Sequence, residues 1–208
     1  MINPKSAAVK VSSIAIACLM SVTVACKPQP DATPVEATDP SEELFLAGAD
    51  DRSTWSAWEI EDDSVMGGVS RGRFEVNESG NAVFSGRVSL ENDGGFSSIQ
   101  SYFEPIVITG YKFAEILLKG DGKQYQFRVE TDRTEKHSYI HNFATSGDWE
   151  TIIVPLTSMK PRFRGEDLDL PDYPAKRLGH VRFMISNGKA EEFRLEVARV
   201  VLRKISSE

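Results

Sequence analysis

The chain has 208 residues, 40% of them hydrophobic and 26% charged, the proportions of one ordinary globular domain with additional segments. Its 31 acidic against 24 basic residues leave a formal net charge of -7, which argues against a nucleic-acid binder, whose affinity rests on a basic surface. The two cysteines, Cys18 and Cys26, both lie near the start of the chain, which excludes a disulfide framework and a cysteine-based zinc site.

Residues 1–25 read as an export signal. Lys5 and Lys10 supply the positive charge, and residues 11–25 form an apolar run, short of the roughly 20 residues that a permanent bilayer span needs. The segment Thr23-Val24-Ala25-Cys26 resembles a bacterial lipobox, in which the cysteine is diacylated and becomes the new N-terminus. A plain secretory signal cut near Ala25 is the alternative. It leaves Cys26 as an exposed thiol without a role in an exported chain, so the lipoprotein reading is preferred. Residues 26–43 then form the lipidated Cys26 and a tether, with Pro28, Pro30, Pro34 and Pro40 among Ala, Thr, Asp and Glu. At about 3.1 Å per residue, such a segment reaches on the order of 50 Å from a lipid surface. Two acyl chains hold an acidic protein on a membrane without a polybasic helper. The expected place is the cell envelope, with the domain facing the periplasm or the exterior.

Residues 44–208 form one domain, large enough to bury a core. Its periodicity is two rather than 3.6. The spacing predicts strands at 73–77, 82–90, 98–103, 113–119, 124–131, 138–145, 149–156, 180–186 and 193–203. Alternation places Phe84, Val88 and Leu90 on one face of the second, and Tyr125, Phe127 and Val129 on one face of the fifth. Turn signals separate these runs at Glu78-Ser79-Gly80-Asn81, Gly120-Asp121-Gly122, Ser146-Gly147-Asp148 and Asn187-Gly188. Eight or more short strands so spaced, with no long amphipathic helix, predict an all-β fold: an antiparallel β-sandwich or jelly roll.

The loops between strands carry the candidate site residues. Trp55 and Trp58 precede Asp62-Asp63-Ser64-Val65-Met66-Gly67-Gly68-Val69-Ser70, and a second glycine pair lies in Asn92-Asp93-Gly94-Gly95-Phe96. Both pairs either shape a shallow binding surface or serve turns that need positive φ. Asp63, Asn92, Asp93 and Asp121 offer oxygens to a hard cation, but not at the spacing of a calcium loop. Lys160, Arg162 and Arg164 alternate, presenting guanidinium forks to a carboxylate or phosphate, or pairing with the domain's own excess acids.

Four stretches, in this order, resemble one known family: Asp63, Val65, Met66, Gly67, Gly68 and Ser70 after a Trp; Gly94, Gly95 and Phe96; Gly120, Asp121 and Gly122 before the aromatic Tyr125; and Trp149 in a strand followed by Phe163, Arg164 and Gly165. The chain from about residue 55 to 201 is thereby identified as similar to the NADH:ubiquinone oxidoreductase (complex I) intermediate-associated protein 30 family. That resemblance implies a galactose-binding-like β-sandwich, with mitochondrial relatives that act as assembly chaperones, and it implies no catalytic residue. Those relatives work on the matrix side, whereas the signal here sends the chain outside the inner membrane, where it cannot touch the cytoplasmic arm of complex I.

Enzymatic motifs are absent: no Gly-x-Ser-x-Gly, no Walker lysine before Ser or Thr, no Gly-x-Gly-x-x-Gly. His137 and His141 share a strand face with Tyr139 between them, but no third metal ligand accompanies them. The expectation is a binding module without catalytic residues, cofactor or metal. Its partner is an envelope protein reached through the Gly-Gly loops and exposed Trp55 and Trp58, so that Gly68→Arg abolishes capture while the domain stays folded. The alternative is a carbohydrate-binding lipoprotein that stacks aromatic faces on sugar rings. The residues nominated for contact are Trp58, Asp63, Met66, Gly67, Gly68, Ser70, Asn92, Gly94, Gly95, Phe96, Asp121, Tyr125, Arg162 and Arg164.

Overall fold

The computed structural model describes residues 42–204. The expected export signal, Cys26 and the expected tether, apart from Glu42 and Glu43, lie outside the described residues. The elements are β1 (Glu43–Gly48), β2 (Glu59–Asp62), β3 (Arg71–Val76), β4 (Ala82–Val88), β5 (Ser97–Val107), β6 (Phe113–Lys119), β7 (Gln124–Glu130), β8 (Ser138–Ala144), β9 (Trp149–Pro155), β10 (Lys160–Phe163), β11 (Glu166–Asp167), β12 (Arg177–Ile185) and β13 (Glu191–Arg203). Single 3-10 turns over Arg52–Ala57, Asp63–Met66, Glu91–Asp93 and Leu156–Ser158 complete the set among the described residues.

The strands form two antiparallel sheets. The first runs β3-β4-β13-β6-β9, with β1 also on β13, and the second runs β11-β10-β8-β7-β12-β5-β2. This is the all-β sandwich that period-two patterning predicts. Each expected strand appears, and four more join them. β1 pairs along the far end of β13, with Glu43 opposite Arg203, so it is fixed by a partner some 160 residues away rather than by its own pattern. Glu43 thus belongs to the sheet and not to the tether. β2 is the acid-rich Glu-Ile-Glu-Asp, carried into the sheet by pairing with β5. β10 and β11 form a hairpin at one edge, where Pro161 is tolerated because it lies beyond the two residues that β11 pairs, Arg162 and Phe163, so that side of the ladder asks no N–H of it.

The core lies between the sheets. Tyr125, Phe127 and Val129 are buried along β7, as alternation requires. Phe84 and Val88 are buried too, but Leu90 is 47% exposed: β4 ends at Val88, and the chain has turned before Leu90. Trp55 and Trp58 were expected at the surface and are instead 1% and 9% exposed. The 3-10 turn over Arg52–Ala57 folds them inward, where Trp58 stacks on Phe183 with ring centroids 5.9 Å apart and meets Trp55 edge-on at 5.2 Å. Trp55 Nε1 donates to the Gly80 carbonyl at 3.1 Å, which removes the cost of burying its N–H. Neither ring is available to a partner.

Phe183 also packs on Phe127 at 5.4 Å, so it joins the tryptophan pair to the middle of the second sheet. Phe183→Ala is expected to cost about 3–5 kcal/mol by urea denaturation, against less than about 0.5 kcal/mol for Phe163→Ala at the exposed β10 edge.

Candidate functional site

The family-like loops converge on one carboxylate. Asp63 is fully buried. Its Oδ1 accepts from the Ser70 N–H at 3.0 Å, and its Oδ2 accepts from the Ser70 hydroxyl at 2.5 Å and from the N–H groups of Gly95 and Phe96 at 2.7 and 3.2 Å. Burial by itself pushes this carboxyl up. The Ser70 hydroxyl and the backbone donors of Gly95, Phe96 and Ser70 outweigh it and hold the group below its ordinary value. The glycines answer to the same group: a Cβ at Gly68 would stand 2.3 Å from Asp63 Oδ1, and one at Gly94 2.6 Å from Oδ2. Gly67 (φ 96°), Asn92 (φ 55°) and Asp93 (φ 58°) occupy the left-handed region in the turns on either side. Asp63, Gly67, Gly68, Ser70, Asn92, Gly94, Gly95 and Phe96 are therefore brought together, as a structural clamp. Met66 projects from it, 58% exposed, beside Val65 at 68%.

Asp121 is a second clamp. Its Oδ1 accepts from the Tyr125 hydroxyl at 2.9 Å, and its Oδ2 from Lys123 Nζ at 2.7 Å and the Arg194 N–H at 2.9 Å, tying the β6–β7 turn to β13. Burial first, then the Asp121 charge, pushes the Tyr125 phenol far above its usual range, so the ring is a core element with its hydroxyl committed. Both aspartates are saturated by protein donors, and among the described residues no group of three His, Cys, Asp or Glu stands close enough to hold a metal. His137 faces Glu135 at 3.8 Å and Tyr139 edge-on at 4.9 Å, and burial pushes His141 down.

The polar half of the β7 alternation carries no candidate in the sequence. Gln124, Gln126 and Arg128 lie on the face opposite Tyr125 and Phe127, on the outer surface of the second sheet. There an open cleft of about 560 Å³ is lined by Gln124, Gln126, Asn142, Arg162, Lys189 and Glu191. Register builds it: Gln126 stands opposite Asn142, and Arg162 opposite Ser138. Arg162 Nε donates to Asp167 at 2.6 Å and Lys160 pairs with Asp172, the pairing with native acids that excess acidity favours. Arg164 leaves that row, because it sits in the β10–β11 turn at φ 49° with its guanidinium 5.3 Å from the Phe163 ring.

The same face continues as a polar array. Tyr102 stacks on the buried His180 at 3.9 Å. The His180 ring nitrogens lie 3.2 Å from Glu130 and from Gln100, and burial pushes the imidazole down more than Glu130 pulls it up. Arg182 bonds Gln100 and reaches Glu61 at 3.3 Å. Arg128, opposite Arg182, donates twice to Gln126 and is pushed down to about 10 by burial and by the charges of Arg182 and Arg162. Of the nominated residues only Arg162 and Tyr125 line this cleft. The signal that marks the rest was the polar side of a strand whose apolar side was read.

The clamp sets two expectations. Folding lowers the Asp63 pKa, so the unfolded chain takes up the proton first. The stability this group contributes at neutral pH is lost as pH falls below about 4 and through the lowered folded value, and an acid titration of Asp63→Asn shows a shallower decline. Gly68→Ala forces Cβ onto Asp63 and lowers the thermal midpoint, so Gly68→Arg reports on folding rather than on a partner.

The sequence profile of complex I intermediate-associated protein 30 matches residues 48–197. No curated protein matches the chain. Among solved structures, the family 11 carbohydrate-binding module from Clostridium thermocellum, in complex with a beta-1,3-1,4-mixed-linked tetrasaccharide, is 13% identical over 78% of this chain and 95% of that one, with a TM-score of 0.55. The solution structure of CtCBM11 is 11% identical over 80% and 97%, with a TM-score of 0.58. The agarase AgWH50C is 10% identical over 80% of this chain and 25% of its own length, with a TM-score of 0.51. At these identities the likeness is one of fold. The profile, by contrast, takes in both aspartate clamps and most of the folded residues, and the chain belongs to the complex I intermediate-associated protein 30 family.

Proposed function

We propose that the domain is a non-catalytic binding module that holds a glycan in the cleft on the outer face of the second sheet. The observation that carries this reading is the lining itself. Gln124, Gln126 and Asn142 offer amide donors and acceptors to hydroxyl groups, while Arg162 and Lys189 add charged donors. Sheet register presets these groups, so little ordering entropy is lost on binding. Glu191 is the one carboxylate lining the cleft, and glycoside hydrolysis by paired acids needs two. The saccharide-bound family 11 module with the same fold supports the ligand class. Arg162 and Lys189 add a preference for glycans that carry acidic groups.

Titration calorimetry against neutral and uronate-containing oligosaccharides tests this. Millimolar or tighter binding is expected, weakened about tenfold by Gln126→Ala or Arg162→Gln, since a hydrogen bond to a charged group contributes about 1.5–3 kcal/mol. No heat at millimolar sugar counts against the reading.

A second reading is an envelope assembly factor, favoured by the exposed pair Val65 and Met66 at the tip of the Asp63 clamp. In both readings the chain is exported and lipid-anchored at Cys26, a proposal supported by residues 1–26. The intact mass from native membranes is expected to be that of a chain starting at diacylated Cys26. A chain starting at Met1 overturns the anchor. A pull-down from the same membranes that returns an envelope complex from wild type and loses it with Met66→Asp supports the assembly reading, and an unchanged catch sinks it.

A further inference from the structure

A second cleft, of about 400 Å³, opens on the other sheet. Ser79, Asn81, Lys119, Trp149, Arg194 and Glu196 line it. Cross-strand register assembles its floor: Trp149 of β9 stands opposite Lys119 of β6, and Lys119 stands opposite Glu196 of β13, so the three form one row across the outer face of the first sheet. Trp149 differs from the other two tryptophans. Trp55 and Trp58 are buried in the core, whereas Trp149 is 46% exposed at the end of its strand. An indole left half bare beside a cleft is a platform for a flat apolar surface.

The charges around it are biased. Glu196 is already engaged, its Oε1 accepting from Asn77 and Asn81 at 2.7 and 2.8 Å and its Oε2 lying 3.5 Å from Arg194 Nη2. Those bonds hold Asn81 and Arg194 at the rim and neutralise the one acid. Lys119 and Arg194 against the single acid Glu196 still leave the cleft net cationic in a protein whose net charge is -7. A ligand that satisfies both features carries a ring with an apolar face and an anionic group beside it. Acidic sugars have that combination: axial and equatorial C–H groups on one face, and a carboxylate in place of the exocyclic hydroxymethyl. A neutral sugar leaves the excess positive charge unanswered, and a simple anion leaves the indole uncovered.

We propose that this cleft is a second binding site, specific for a uronic acid residue of a glycan, whose ring stacks on Trp149 while its carboxylate meets Lys119 and Arg194. The site stands independently of the cleft on the second sheet. The two flank the turn that Asp121 clamps, with Gly120 lining one and Gly122 the other.

Tryptophan emission tests it on the full chain, since Trp149 is the exposed indole and the glycan cleft on the second sheet has no tryptophan in its lining. Trigalacturonate is expected to quench or shift the emission with millimolar or tighter affinity at low salt, and cellotriose to act at least tenfold more weakly. Trp149→Phe abolishes the optical change, and in calorimetry on an Arg162→Gln background, which weakens the other cleft, Trp149→Ala, Lys119→Gln and Arg194→Gln each weaken trigalacturonate binding about tenfold. Arg162→Gln in the other cleft leaves the Trp149 response intact, which separates failure of one site from failure of the other. An emission that trigalacturonate does not change, equal affinity for cellotriose, or calorimetric binding unaltered by Trp149→Ala overturns the proposal.

Discussion

A buried carboxylate holds the loop end of this sandwich together. Asp63 receives donors from its own loop through Ser70 and from a distant loop through Gly95 and Phe96. A charge at that depth persists only when hydrogen bonds replace the water it has lost, and these donors supply them. The neighbouring backbone must come close enough to donate, which is why Gly68 and Gly94 have no room for a side chain. Ser70 extends the same network to β4, since its hydroxyl accepts from the Ser89 N–H at 2.9 Å. Gly68 and Gly94 are thus the packing requirement of one aspartate, while Gly67 and Gly95 serve backbone at positive φ, and Asp121 repeats the carboxylate clamp at the β6–β7 turn.

With the loops fixed internally, the proposed recognition falls to the sheet faces. Strands hold their outward side chains at spacings set by pairing, and a flat polar surface costs little to order when a ligand arrives. The second sheet uses this for an amide and guanidinium array that runs from the cleft at Gln126 to the stacked Tyr102 and His180. The first sheet uses it for Trp149 and its cationic neighbours. On that proposal, binding on faces and stability in clamps are separate tasks. Residues that look functional because they are unusual, such as paired glycines beside acids, do the structural work.

The limits of reading function from the chain follow from that division. Asp63, Gly67, Gly68, Gly94 and Gly95 stood out in the sequence because rare backbone geometry demands rare residues, and the structure does bring them together. Their role was not legible, because a glycine required by a bound ligand and a glycine required by an internal carboxylate leave the same letters. Trp58 illustrates the converse: an aromatic in a loop reads as a contact residue, and only the fold places it against Phe183 in the core. Gln124, Gln126 and Asn142 carried almost no signal, since a glutamine on the polar side of a strand is ordinary until its neighbours are known.

Local physics in the sequence determined the fold class, most of the strand positions, the turns, and the membership that rests on spaced motifs, because alternation and turn chemistry act within a few residues. The tertiary structure alone decided which strands are neighbours, and with them β1 against the far end of β13, the row of Trp149, Lys119 and Glu196, and the apposition of Gln126 with Asn142. A cleft exists only between side chains that pairing makes adjacent, and strand order across a sheet is a non-local choice that no short stretch of sequence contains.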